Sequence, residues 1–515
     1  MTKRTTGAWL AAALTAVVGV AGCTDGLPGS VPSDLREPPA EESLPAPAEG
    51  LARFHEQELD WSDCDGGQCA TLTVPVDHDE PAGETMELAL LRVPAKDQDN
   101  RIGSLVVNPG GPGSSGIAYA RAADAIVGKD VRKFYDVVGF DPRGVAASEP
   151  VDCVDDRTLD AFLGLDTTPD DQSEREAVEQ TTEDFVAGCE RELGDRLEHI
   201  TTEASAADMD ILRGALGDPR LHYLGLSYGT QLGATYAERF PERVGAFVLD
   251  GVLPTDLDSL DIGLGQARGF ERATNAYLQW CVDEGDCPLG DSPEAAADGL
   301  RELVARIDED PLPLADDPHV DRLTVGWATY GLAAAMYSED SWPALTQALG
   351  LAKDGQGRGL MALANSYADR TAGGQYASNL MEAFNTYTCN DRVGDSQGRS
   401  DEEIRAAFEE EAPLWGEFLL GEVSLCEDWP VEPAAPFEAV AAGSEPILVI
   451  GTTRDPATPL EWAEAAAESL ENGHLLTLDG DGHTAYRRGN ACIDSAVDDY
   501  LLTGDVPEDD AARCD

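Results

Sequence analysis

The stretch Leu221-His222-Tyr223-Leu224-Gly225-Leu226-Ser227-Tyr228-Gly229-Thr230 decides the architecture. Leu221 to Leu226 has the length and apolar content of a buried strand. It passes through Ser227 directly into a helical pattern that ends near Phe240, where Pro241 stops it. Gly225 and Gly229 flank the serine at G-x-S-x-G spacing. A serine raised on a strained strand-to-helix turn leaves no room for side chains two residues to either side, so both positions must be tiny. Gly233, one turn later, permits close packing of that helix on the sheet.

Outward from this turn the chain alternates strands with helical stretches. Ala70 to Val76 and Met86 to Val93 come first, then Ser104 to Asn108 and Asp136 to Phe140. Leu105-Val106-Val107 and Val137-Val138 are continuous apolar runs, as in a sheet covered on both faces. Gly245 to Asp250, Pro446 to Gly451 and Leu475 to Leu478 complete the strand series, the last being the final strand expected. Such alternation predicts a mostly parallel, doubly wound sheet. Between Gly251 and about Ser444 no strong strand series occurs, and helical patterns such as Trp327 to Tyr337 and Trp342 to Leu351 fill the gap.

A serine hydroxyl becomes a useful nucleophile only when a base takes its proton, and histidine is the side chain suited to that near neutrality. The chain has seven His. In the order serine, acid, histidine that α/β-hydrolases use, the base lies beyond the last strand. His483 does, in Asp479-Gly480-Asp481-Gly482-His483-Thr484, whereas His474 precedes that strand and reads as a surface residue. Asp455, in Gly451-Thr452-Thr453-Arg454-Asp455-Pro456, follows the preceding strand and is the expected acid. Asp250, at the end of an earlier strand, is its rival, and Asp479 and Asp481 read as turn residues. Asn108-Pro109-Gly110-Gly111-Pro112-Gly113 follows an early buried strand, where donors to a developing oxyanion belong. The backbone N–H groups of Gly111 and Tyr228 are assigned that role. The expected fold is therefore α/β: an α/β-hydrolase core at 49–255 and 444–515, with a mostly parallel central sheet and a large, mainly helical cap inserted at 256–443 between late core strands.

Charge and cysteine usage place the chain. Its 515 residues carry 35 Lys plus Arg against 98 Asp plus Glu, a net charge of −63. Such a surface repels phosphates, which excludes an ordinary nucleic-acid binder. Lys3 and Arg4 precede an apolar run from Ala8 to Ala21, too short to span a bilayer comfortably but matching a secretory signal over 1–22. The run ends in Val20-Ala21-Gly22-Cys23, which resembles the lipobox of bacterial lipoproteins and makes Cys23 the expected site of diacylglycerol attachment. Residues 23–48 hold Pro28, Pro32, Pro38, Pro39, Pro45 and Pro47 with few large apolar side chains, and read as a tether. The expected location is the outer face of the cell membrane, held by lipid, with release into the medium as the alternative.

There are 11 Cys, an odd number, and lipidation of Cys23 leaves an even set: Cys64, Cys69, Cys153, Cys189, Cys281, Cys287, Cys389, Cys426, Cys492 and Cys514. An oxidising compartment pairs them. Many connectivities are open, and five bridges between neighbours in sequence are the simplest. No CxxC, CxxH or HExxH occurs, so no metal is expected. No cofactor is expected either.

These residues together resemble a known family, the secreted actinobacterial serine hydrolases of the tripeptidyl aminopeptidase type. It includes the carboxylesterase A-like lipoproteins and is related to proline iminopeptidases. The resemblance rests on NPGGPG at 108–113, Gly139-Phe140-Asp141-Pro142-Arg143-Gly144, GLSYGT at 225–230, Val248-Leu249-Asp250-Gly251, and the loops of Asp455 and His483. It covers nearly all of the chain from about residue 60. It implies an exopeptidase that releases tripeptides or short N-terminal fragments from peptides with a free amino end, through an acyl-enzyme. Ester substrates are implied as well, because acyl-enzyme chemistry serves both bonds. Such an enzyme needs an anion for the substrate ammonium, and Glu382 and Asp391 are the candidates in the cap. Asp141 and Arg143 are expected to brace the loop beside the oxyanion strand. Proline iminopeptidases usually carry His where Asn108 stands, so proline-specific cleavage is not expected.

Overall fold

Strand formation starts from apolar runs too long to leave in water, and in this computed structural model those runs assemble into one ten-stranded sheet. The structure describes residues 35–36, 44–315, 317–392, 398–426, 429–507 and 511–515. Cys23 and the leader at 1–22 lie outside them, as does most of the tether. Residues 36–515 form one compact unit that carries both sheet and cap.

The strands are β1 (Ser62–Cys64), β2 (Gly67–Pro75), β3 (Thr85–Val93), β4 (Gly103–Asn108), β5 (Tyr135–Phe140), β6 (Leu221–Leu226), β7 (Val244–Asp250), β8 (Ile447–Arg454), β9 (Gly473–Asp481) and β10 (Ala511–Cys514). Their order in space is β1-β2-β3-β5-β4-β6-β7-β8-β9-β10. The first three run antiparallel to their neighbours. From β5 to β10 every pairing is parallel. Every residue of β4, β5 and β7 is buried, which is why Leu105 to Val107, Val137-Val138 and Ala246 to Leu249 run apolar without alternation. The order reverses at β4, which lies between β5 and β6. In a parallel sheet, that reversal opens a crevice at the carboxyl ends of the strands. Asn108, the last residue of β4, pairs there with Gly225, the last but one of β6.

The sheet extends two strands further than the sequence indicates, with β1 at one edge and β10 at the other. Leu475 to Leu478 lies inside β9, and β10 pairs in parallel beyond it, fastened by the Cys492–Cys514 disulfide. A second addition lies between β5 and β6, where helices α1 (Asp156–Leu163), α2 (Gln172–Leu193) and α3 (Thr202–Leu216) pack under the cap. Its sequence signal is the capping box of Asp171 and Glu174 at the start of α2. Cys153–Cys189 ties α2 back to the loop after β5.

The nucleophile helix α4 (Tyr228–Arg239) follows β6. Between β7 and β8 the chain is mainly helical. The cap helices used below are α5 (Ser259–Glu284), α6 (Val325–Met336), α7 (Leu380–Asp391) and α8 (Gly416–Ser424). A small hairpin, Leu312–Pro313 against Arg322–Leu323, interrupts them. The remaining disulfides, Cys64–Cys69, Cys281–Cys287 and Cys389–Cys426, also join neighbours in sequence.

Two buried groups lock the loops beside the crevice. Arg143 is fully buried, and its guanidinium donates to both carboxylate oxygens of Asp208 (2.8 and 2.7 Å) and to the carbonyls of Pro75, Val76 and His199. Asp141 accepts from Ser115 Oγ (2.6 Å) and the N–H groups of Ile117 and Ala147, which joins the loop after β4 to the loop after β5.

Candidate active site

Ser227 stands between β6 and α4 with φ 56° and ψ −126°, a left-handed conformation that costs a non-glycine residue energy and persists only when neighbours impose it. They do. Its N–H donates to the Asp250 carbonyl (2.9 Å), and its own carbonyl accepts from Thr230 N (2.8 Å) and Thr230 Oγ1 (2.6 Å). A Cβ on Gly225 would come within 2.4 Å of the Gly229 carbonyl, and one on Gly229 within 2.8 Å of the Asn108 carbonyl. The two glycines are therefore demanded by packing at the turn.

His483 lies in the loop after β9, and its Nδ1 is 2.9 Å from each carboxylate oxygen of Asp455. Asp455 is fully buried and its remaining acceptor sites are filled: Oδ1 takes the N–H groups of Ala457 (2.9 Å) and Thr458 (2.8 Å), Oδ2 that of Thr484 (3.1 Å). With Nδ1–H committed to the carboxylate, the neutral ring leaves Nε2 as the proton acceptor. Nε2 has no hydrogen-bond partner among the described residues. The ring packs edge-on against Tyr337, with centroids 5.0 Å apart, and the His483 N–H donates to the Tyr337 carbonyl (3.0 Å). A residue at the end of a cap helix thus holds the loop that carries the imidazole.

The rival acid does different work. Asp250 is buried, and its carboxylate accepts from the N–H groups of Ala485 (3.0 and 3.1 Å) and Tyr486 (2.8 Å), just beyond the imidazole. Burial pushes its pKa up to about 6. Asp479 and Asp481, at the end of β9, are both gripped by Arg454. His474 lies within β9, in register with Leu448, and not before the strand.

Ser227, His483 and Gly111 line one cavity of about 480 Å³ at the crevice. The Tyr228 N–H opens α4, and the Tyr228 side chain is buried, its hydroxyl 2.6 Å from Thr202 Oγ1. Gly110, with φ 97°, seats the glycine loop against the turn. A Cβ there would meet the Leu226 carbonyl at 2.5 Å, Ser227 Cβ at 2.9 Å and Tyr228 N at 3.1 Å. Gly110→Ala is therefore expected to push the loop off the serine and lower kcat by roughly 100-fold, about the effect of losing one oxyanion donor. Steady-state kinetics on an activated ester check this, and an unchanged kcat contradicts it.

Residues 412–514 match the family of TAP-like proteins. Over 500 residues the chain is 39% identical to the serine protease Hip1 of Mycobacterium tuberculosis, a match that covers 90% of this chain and 93% of that one. The chain belongs to the tripeptidyl aminopeptidase-like family of α/β-hydrolases. Carboxylesterase B of the same organism is 36% identical over 474 residues, covering 90% of this chain and 89% of that protein. The tripeptidyl aminopeptidase of Streptomyces lividans is 30% identical over 470 residues, covering 88% and 86%. Among solved structures, a proline iminopeptidase from Mycobacterium smegmatis matches 84% of this chain and 97% of its own, at 14% identity and a TM-score of 0.36. The chain is thus a serine hydrolase.

In this family member the two cap carboxylates singled out from sequence do not reach the cavity. Glu382 is buried, with Oε1 accepting from the N–H groups of Cys153 (2.7 Å) and Val154 (3.1 Å), and burial pushes its pKa up to about 7. Asp391 accepts from Thr202 N (2.9 Å) and Thr202 Oγ1 (2.6 Å), and burial pushes it up to about 6. Both bind the helices between β5 and β6 to the cap. The carboxylate that does line the cavity is Glu422, on α8. Its Oε2 accepts from the Tyr330 hydroxyl (3.1 Å), and burial pushes its pKa up to about 7. Arg392, just past α7, lines the cavity as well. Neither could be told apart in sequence from the other charged residues of the cap. Among the described residues, Asp170, Asp171 and Glu174 are close enough together to share a cation, and none of them lines the cavity.

Proposed function

We propose that this serine hydrolase is an exported aminopeptidase, held to the outer membrane face by lipid on Cys23, that releases tripeptides or short N-terminal fragments. Ser227 Oγ attacks the scissile carbonyl while His483 Nε2 takes its proton, and Asp455 stabilises the resulting imidazolium. The N–H groups of Gly111 and Tyr228 hold the oxyanion. His483 then protonates the leaving amine, and water repeats the sequence on the acyl-enzyme.

One observation carries the peptidase reading: the carboxylate of Glu422 lines the same cavity as Ser227 and His483. It offers a free α-ammonium a partner where water is scarce. A free-amine tripeptide anilide is expected to exceed its N-acetylated version in kcat/KM by roughly 30-fold or more, the cost of leaving one charge of the cavity unpaired. Equal rates for the two would contradict the reading. Rapid hydrolysis of a simple acyl ester together with neither peptide would favour a carboxylesterase acting on lipid or envelope esters. That second reading is favoured by the apolar walls of the cavity, among them Leu253, Ile262, Phe270 and Phe418.

The raised pKa of Glu422 adds a pH signature. Its folded value of about 7 leaves it protonated below neutrality, and only the carboxylate form pairs with an ammonium. KM for a free-amine substrate should thus rise by up to about tenfold per pH unit below 7, and should rise again above about 8 as the substrate amine loses its proton. The N-acetylated substrate shares the same triad but has no ammonium, so its KM is expected to lack both limbs. Parallel KM profiles for the two substrates would rule out Glu422 as the ammonium partner.

A further inference from the structure

Among the described residues, the buried arginines grip carboxylates. Arg143 pairs with Asp208 (2.7 Å), Arg213 with Asp210 (2.9 Å), and Arg370 with Asp160 (2.6 Å) and Asp317 (2.7 Å). Arg392 pairs with none of the described residues. Its Nη2 donates to Gln231 Oε1 (2.7 Å), and its Nε is buried without a hydrogen-bond partner. The hydrogen bonds of the adjacent Asp391 carboxylate go to Thr202 and that of Glu422 to Tyr330, so Asp391 acts on the guanidinium through its charge alone and leaves its donors open.

Position gives this cation its meaning. Leu380, Phe384 and Thr388 lie four residues apart on α7, and Arg392 continues the same line, all four along one wall of the catalytic cavity. Gln231, which holds the guanidinium, stands four residues after Ser227 on α4, about 6 Å further along the axis. Arg392 also lines an adjoining cavity. A guanidinium has five N–H donors in a planar fork that matches a carboxylate. A guanidinium that lines a cavity with its Nε–H unpaired is a place where a ligand can supply the acceptor.

We propose that Arg392 is the anion-recognition subsite of the catalytic cavity, and that the enzyme favours substrates carrying a carboxylate which this guanidinium accepts. The proposal rests on the reading that substrate occupies the cavity shared by Ser227 and His483. The carboxylate has two sources, an acidic side chain in the released fragment or the terminal carboxylate of a short peptide.

The test compares acid with amide isosteres. Tripeptide aminocoumarins with Glu or Gln at each position probe the side chain, and tetrapeptides ending in a free acid or an amide probe the terminus. Aryl monoesters of glutaric acid and of its monoamide make the same comparison without peptide bond or ammonium, so an enzyme that cleaves no peptide still reports on Arg392. In the native enzyme the acid should win in at least one pair by about tenfold or more in kcat/KM, the worth of one charged hydrogen bond. In Arg392→Met that ratio should collapse to near one, and Arg392→Lys should retain part of it. The ratio is internal to each protein, so a smaller folded fraction does not distort it. Absence of acid preference in every pair of the native enzyme overturns the proposal, as does a preference that survives in Arg392→Met. Failure of the peptides alone, with the ester pair still discriminating, would sink the aminopeptidase reading and leave this one standing.

Discussion

Ser227→Ala is expected to lower kcat on any acyl substrate by roughly 10⁴- to 10⁶-fold while leaving the thermal unfolding temperature within a few degrees of the native value. The reason lies in how the turn is built. What holds residue 227 at φ 56° is its backbone, through Asp250 and Thr230, and none of those bonds uses the hydroxyl. Removing the oxygen therefore deletes the nucleophile and spares the fold. Some acceleration over water should remain from the oxyanion donors and from binding, so the residual rate is small but not zero. Stopped assays with a chromogenic ester, alongside calorimetry, measure both quantities. A kcat reduced by less than about tenfold would remove Ser227 from the chemistry.

The second large effect separates two buried acids. Asp455→Asn is expected to cost roughly 10⁴ in kcat, because the amide can donate to Nδ1, turn the ring into the wrong tautomer and leave the imidazolium without its counter-charge. Asp250→Asn should behave otherwise. Its carboxylate bonds the backbone of Ala485 and Tyr486 and does not bond the imidazole, and an amide oxygen replaces part of that acceptance. The expected loss is at most about tenfold in kcat, with the larger change in stability, on the order of 1 to 3 kcal/mol for the N–H left unsatisfied. Paired measurements of kcat and unfolding free energy on the two variants decide it. Equal losses of activity would mean that Asp250 shares the acid's role.

Much of this site was legible before any fold was known, for a local reason. A serine on a strained turn and a backbone loop pressed against it both exclude side chains, so Gly225, Gly229 and the Asn108 to Gly113 loop leave a mark within a few residues of chain. The buried parallel strands are legible for a similar reason, since β4, β5 and β7 are buried throughout and carry unbroken apolar runs at Leu105 to Val107, Val137-Val138 and Ala246 to Leu249. The acidic helix α2 reads as solvated surface, and only its capping box marks where it begins. β10, Ala-Ala-Arg-Cys, has no strand propensity of its own and is held by β9 and a disulfide. The cap charges were the hardest to place. With 98 acidic residues in the chain, Glu382 and Glu422 are equivalent on paper, and only tertiary packing turns one to backbone N–H groups and the other to the cavity.

The hydroxyl of residue 227 is the group made reactive at the crevice. Treatment of the native protein with a fluorophosphonate, followed by mass spectrometry of its proteolytic fragments, tests this most directly. A single stoichiometric adduct on Ser227 is expected, formed far more slowly when His483 is replaced by Ala. An adduct on any other residue, or a protein that stays unlabelled while hydrolysing ester, would contradict it.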